Sequence, residues 1–187
     1  MKETDKTSIG LVMAVAMVIL FFIGVGLAGL ADQNRKADSI NVLSVSVTSV
    51  EGVYFSPSVE TETGLIEYIN GAKDTLDIAI YSLTNPKIAS AISEAKKRKV
   101  AVRLVTDKAQ GGNKNALWKS VGGKIDRKSG LMHHKFVVRD NKCVSTGSFN
   151  FTENAVKNNR ENLVILCDKK VAGQFADEFE KIWKYNQ

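Results

Sequence analysis

Histidine, cysteine, proline and tryptophan each occur only twice among the 187 residues, and each shortage narrows what the protein can be. The cysteines, Cys143 and Cys167, form no CxxC pair, and with only the adjacent His133 and His134 they lack the spacing of a usual zinc site. No metal and no cofactor is therefore expected. Both cysteines fall in strand-like runs, either as two buried thiols or as a single disulfide if the domain faces an oxidising compartment. No internal repeat is visible, and the length suits one domain of ordinary size and hardly two. Charge is missing altogether from Ile9 to Ala31. As a helix at about 1.5 Å per residue that run covers about 35 Å, against a hydrocarbon core of ~30 Å. Its length argues against a buried helix of a soluble fold and exceeds the ~7–15-residue core of a cleavable signal peptide. An uncleaved transmembrane anchor is the expectation. Cleavage after small residues such as Gly29 and Ala31, giving a secreted protein, is the alternative.

Acidic residues are the scarcer charged class, 20 against 26 Lys and Arg, for a net charge of +6. Lys2, Glu3, Asp5 and Lys6 cancel, so the excess lies beyond the apolar run. It suits a polyanionic partner, either nucleic acid or an anionic lipid surface. Lys2 and Lys6 before the run nearly balance Arg35 and Lys36 after it, and the free amino terminus tips the orientation towards an extracytoplasmic domain. Four segments follow: a tail at 1–8, the anchor at 9–31, a juxtamembrane linker at 32–50 and a catalytic domain at 51–187.

Within that domain, Val53-Tyr54-Phe55 reads as a strand, and Leu65, Ile66, Ile69 and Ala72 follow helical spacing. Thr75 to Tyr81 reads as a buried strand; Asn85-Pro86 starts a helix, with asparagine as N-cap and proline at the first helical position. Val100 to Val105 completes a parallel strand–helix–strand unit. Asp107 to Asn115 reads as a loop, a short helix is expected around Leu117-Trp118, and Ile125 belongs to a brief strand. The basic loops at 108–114 and 124–128 either line the approach to an anionic substrate or are simply solvated. Leu163 to Leu166 is another strand, and Val171, Phe175, Phe179, Ile182 and Trp183 build a terminal amphipathic helix. The fold class is α/β, a mixed sheet flanked by helices.

The chemistry concentrates in two short runs. His133 and Lys135 open a strand two residues apart and share one face, while His134 points to the other. After the turn Asp140-Asn141-Lys142 the chain returns to Ser148 and Asn150, again two apart. A lysine point charge with hydroxyl and amide donors can neutralise a phosphodiester as charge redistributes, and an imidazole can attack it. His133, Lys135, Asp140, Gly147, Ser148 and Asn150 fit the pattern H-x-K-x4-D-x6-G-S-x-N at every fixed position. The run therefore resembles the HKD motif of the phospholipase D superfamily. Ile80 to Thr84 and Asn159-Arg160-Glu161-Asn162 extend the likeness to its small, single-motif bacterial endonucleases, from about Val53 to Trp183.

The resemblance implies a phospholipase D-like fold and assigns roles. His133 is the nucleophile that forms a phosphohistidine, and Lys135, Ser148 and Asn150 bind the phosphate. Glu161 orients the histidine. Asp140 is a weaker catalytic candidate because it also begins a turn, and Ser82 is a weaker substrate-binding one because strand ends gather there. Larger members take the acid for the leaving oxygen from a second motif. Here the only other histidine, His134, faces the wrong side, so a homodimer in which two copies of His133 share one site is expected. Nucleic acid, DNA or RNA, is the expected substrate. The anchor, which would hold the site near headgroups, favours a phospholipid as the alternative, although a related branch on mitochondria joins such an anchor to lipid or RNA substrates, so the anchor suits either. A catalytically silent nucleic-acid-binding scaffold is the third reading, against which the complete motif argues.

Overall fold

The computed structural model describes residues 49–186, so the expected tail, anchor and most of the linker lie outside the described residues. Among the described residues, no helix is long and apolar enough to cross a membrane. They form a seven-stranded mixed sheet in the order β1-β7-β6-β5-β2-β3-β4. The strands are β1 (Val50–Ser56), β2 (Thr75–Ile80), β3 (Ala101–Asp107), β4 (Lys124–Asp126), β5 (Lys135–Arg139), β6 (Cys143–Gly147) and β7 (Glu161–Leu166). β2, β3 and β4 run parallel, and every other pairing is antiparallel.

Four helices cover the faces: α1 (Val59–Asn70), α2 (Pro86–Lys97), α3 (Glu153–Lys157) and α4 (Lys169–Tyr185). The helix starts follow from local chemistry. Asn85 accepts from the backbone N–H groups of Lys87 and Ile88 while Pro86 presets the first turn of α2. Asp168 caps α4 in the same way. Alternation along the strands then separates two cores. Ile78, Ile80, Val137, Leu163 and Ile165 meet α1, α2 and α3 on one face. Ala79, Phe136, Val138 and Val144 meet Ala172 and Phe179 of α4 on the other. Arg103 fastens α4 to the sheet, with Nε 2.7 Å from Asp77 and Nη1 2.6 Å from Glu180, and its guanidinium 4.9 Å from the centre of the Phe179 ring.

Three expectations are refined. The helix expected around Leu117-Trp118 is a series of turns; the Leu117 N–H donates to the Leu83 carbonyl instead of to a helical partner. The loop after Asp107 opens with a single 3-10 turn, Lys108–Gly111, capped by the Asp107 carboxylate. Cys143 and Cys167 are joined as a disulfide rather than free. The β5–β6 hairpin turns where the sequence suggested. Asp140 and Asn141 adopt φ of 55° and 51°, and the Lys142 N–H donates to the Arg139 carbonyl.

Candidate active site

The mixed topology brings the carboxyl ends of β2, β3 and β6 and the amino ends of β5 and β7 to one end of the sheet. His133 lies in the segment just before β5, with an exposed side chain. Its carbonyl accepts a 2.8 Å hydrogen bond from Lys135 Nζ. Its ring meets Tyr81, at the end of β2, edge-on with centroids 5.0 Å apart, and Lys135 Nζ stands 5.2 Å from the centre of the same Tyr81 ring. Lys135 is only 8% exposed. Burial lowers its pKa, and the Glu161 carboxylate acts in the opposite direction. A buried ammonium that lacks a contact ion pair leaves its positive field available to an incoming anion.

Ser148 follows Gly147, whose position tolerates no side chain. A Cβ there would stand 2.1 Å from the Asn162 carbonyl oxygen on β7. That close approach lets the Ser148 N–H donate to the Asn162 carbonyl, while Ser148 Oγ accepts from the Asn162 N–H at 3.1 Å. With its oxygen so engaged, the hydroxyl has its proton to give to an anion. Asn150 is half-buried, and its Oδ1 is a buried acceptor with no partner among the described residues. Its Nδ2 is the donor that could serve an anion. Glu161 begins β7, where its carboxylate accepts from Asn159 Nδ2 at 2.9 Å and its N–H donates to Ser56 Oγ.

The remaining expected residues are engaged in other contacts. Ser82 reaches this end of the sheet, but its hydroxyl donates to Gln110 Oε1 at 3.2 Å, and its carbonyl holds the Phe151 N–H. His134 turns to the α4 face, 3.7 Å from Glu178. Asp140, the weaker catalytic candidate, lies at the far end of β5. Its carboxylate accepts from the N–H groups of Lys73, Asp74 and Thr75 and so ties the hairpin to the start of β2.

Two contributors were not singled out from the sequence. Tyr81 is the wall that touches both His133 and Lys135. Asp107 is 1% exposed and accepts from Ala109 N at 2.8 Å and from Met132 N at 2.7 Å, which fixes the backbone one residue before His133. A strand ending in aspartate just ahead of a turn was the available signal for it, an N-cap pattern.

A sheet with a histidine–lysine dyad at the entry of one strand and a serine–asparagine pair beyond the exit of its neighbour defines a phospholipase D-like domain. Residues 65–183 match the family described as "Cardiolipin synthase, PLD-like domain", and the chain belongs to that family. It is 31% identical over 147 residues to phospholipase D of Rickettsia prowazekii, which covers 75% of this chain and 72% of that protein. It is 34% identical over 125 residues to the mitochondrial cardiolipin hydrolase of Mus musculus, or 64% of this chain and 57% of that protein. The chain spans about half the length of the mitochondrial relatives it matches. Among solved structures it is similar to Nuc of Salmonella typhimurium, a phospholipase D family member, with a TM-score of 0.70, 31% identity, and coverage of 74% of this chain and 96% of that one.

Proposed function

We propose that the protein is a metal-independent phosphodiesterase that cleaves the backbone of DNA or RNA through a phosphohistidine. The observation that carries this reading is the exposed His133 imidazole beside the buried Lys135 ammonium, with the Ser148 hydroxyl at the same end of the sheet. A His133 nitrogen attacks phosphorus and the bond to the leaving oxygen breaks. Lys135, Ser148 and Asn150 hold the non-bridging oxygens, and Glu161 favours the histidine tautomer that attacks. Water then cleaves the P–N bond. The leaving oxygen needs a proton, and His134 faces α4, so the acid is the partner's His133 in a homodimer that shares one site.

A second observation favours that assembly. Tyr54 packs towards α1, where Gly64 leaves room for its ring, so Val53 and Phe55 point to the opposite face of edge strand β1. There they stand 52% and 67% exposed.

The test is incubation of the full chain in detergent, with EDTA, against plasmid DNA, RNA and cardiolipin liposomes. Nicking or degradation that disappears in His133→Ala is the expected result; loss of activity in the chelator would overturn the metal-independent mechanism. Release of lipid headgroup alone would establish the second reading, a membrane-anchored phospholipid hydrolase. The uncharged run from Ile9 to Ala31 favours that reading, as do the relatives named cardiolipin hydrolase.

A further inference from the structure

The edge of the sheet formed by β4 holds a cleft of about 320 Å³ lined by Trp118, Lys124, Ile125, Arg127 and Asn186. Trp118 gives the cleft an aromatic wall, and Trp183, stacked on Phe179 of α4, stands behind Lys124. Lys119 Nζ lies 5.3 Å from the centre of the Trp118 ring, and Lys124 Nζ lies 4.1 Å from that of Trp183. Among the described residues, no carboxylate lines the cleft. The neighbouring Asp126 is buried and occupied, accepting from Asn186 Nδ2 at 2.9 Å and from the Lys128 N–H.

Aromatic rings interleaved with unopposed cations are what a single-stranded nucleic acid recognises. Every base has a face that stacks, and every linkage carries a charge that Lys or Arg attracts. An anionic lipid headgroup would use the cations and leave the rings without purpose.

The cleft is also in register with the active site. Lys135 pairs with Ile80, Ile80 with Thr106 and Thr106 with Ile125, one row across the sheet. Three inter-strand spacings make that about 14 Å, a reach of a few nucleotides. Gln110 links the two places, accepting from Ser82 Oγ through its side chain and from Trp118 Nε1 through its carbonyl.

We infer that this cleft is a substrate subsite: it takes a base and an adjacent phosphate of a single strand whose scissile linkage lies at His133. The inference rests on the nuclease reading, and its test separates the two. Full-length His133→Ala protein is titrated with a fluorescent oligothymidylate, with and without Lys124→Gln and Arg127→Gln together. The active enzyme carrying the same pair is assayed on bis(p-nitrophenyl) phosphate, a diester too small to span both places. Expected are quenching of tryptophan emission on binding, roughly tenfold weaker binding in the double variant with a shallower salt dependence, and unchanged turnover of the small diester.

Equal affinity with and without the pair, or binding that leaves tryptophan emission untouched, would overturn the subsite. The nuclease reading would survive that result if plasmid DNA is still cut. Pair-dependent binding without any cleavage of nucleic acid by the active enzyme would uphold the cleft as a single-strand site and remove the nuclease reading.

Discussion

Lys135 keeps its ammonium almost wholly out of water, with a carbonyl as its hydrogen-bond partner. An ammonium so placed has much to gain from a phosphate, and most when negative charge builds up on the phosphoryl oxygens. Lys135→Ala should therefore lower kcat by about 10²–10³. Because burial lowers the pKa of this lysine from its ordinary 10.5, activity should fall on the alkaline side before the usual lysine range is reached. A pH–rate profile checks this, and Lys135→Arg should remove that limb within the range where the protein stays folded. His133→Ala should abolish turnover of any diester while leaving the melting temperature near that of the wild type, since the imidazole is exposed. Residual turnover at the wild-type rate would place the nucleophile elsewhere.

At the scale of elements, the two ends of β5 divide the work. The amino end delivers Lys135 to the site, and the carboxyl end ties the hairpin to the start of β2 through Asp140. Burial pushes the Asp140 pKa up, but the N–H donors of Thr75, Asp74 and Lys73, with Arg139 nearby, outweigh it and hold the carboxyl below its ordinary 3.8. A depressed carboxylate contributes stability that is complete above the unfolded pKa and is lost as the pH falls through the folded one. Asp140→Ala should thus cost about 1–3 kcal/mol near neutral pH. Its difference from wild type should shrink below pH 3.8, in denaturant titrations run across that range. The specific activity of the protein that remains folded should change little. A large loss of kcat with unchanged stability would place Asp140 among the catalytic residues. Gly147→Ala should do the reverse of a surface change, because its Cβ would press on the β7 backbone and displace Ser148.

At the scale of the whole molecule, a single copy presents one usable histidine. If two copies share one site as proposed, a heterodimer of wild-type and His133→Ala chains, purified through two different tags, should be inactive. Retention of half the activity would show that each chain works alone. Val53→Asp with Phe55→Asp should yield a monomer by sedimentation and lose turnover with it. A fully active monomer would overturn the shared site.

The pattern from His133 to Asn150, the Asn85-Pro86 helix start and the alternation of the strands were legible in the residues alone, because each rests on local chemistry or on a period set by backbone geometry. The same local reading set Asp140 apart as a turn residue but could not find what its carboxylate holds. Its role depends on donors at residues 73–75, far away in sequence. Nor could it tell two thiols from a disulfide, since the β6–β7 pairing that brings Cys143 and Cys167 together is set by the sheet. Asp107 and Tyr81 were hidden for the same reason: strand order puts β2 and β3 beside the entry of β5. The sequence by itself determined which side-chain atoms are on offer for chemistry and that the chain holds two adjacent histidines. The tertiary structure decided which of those atoms meet, because a contact across strands depends on order and register, and neither is written in any one segment.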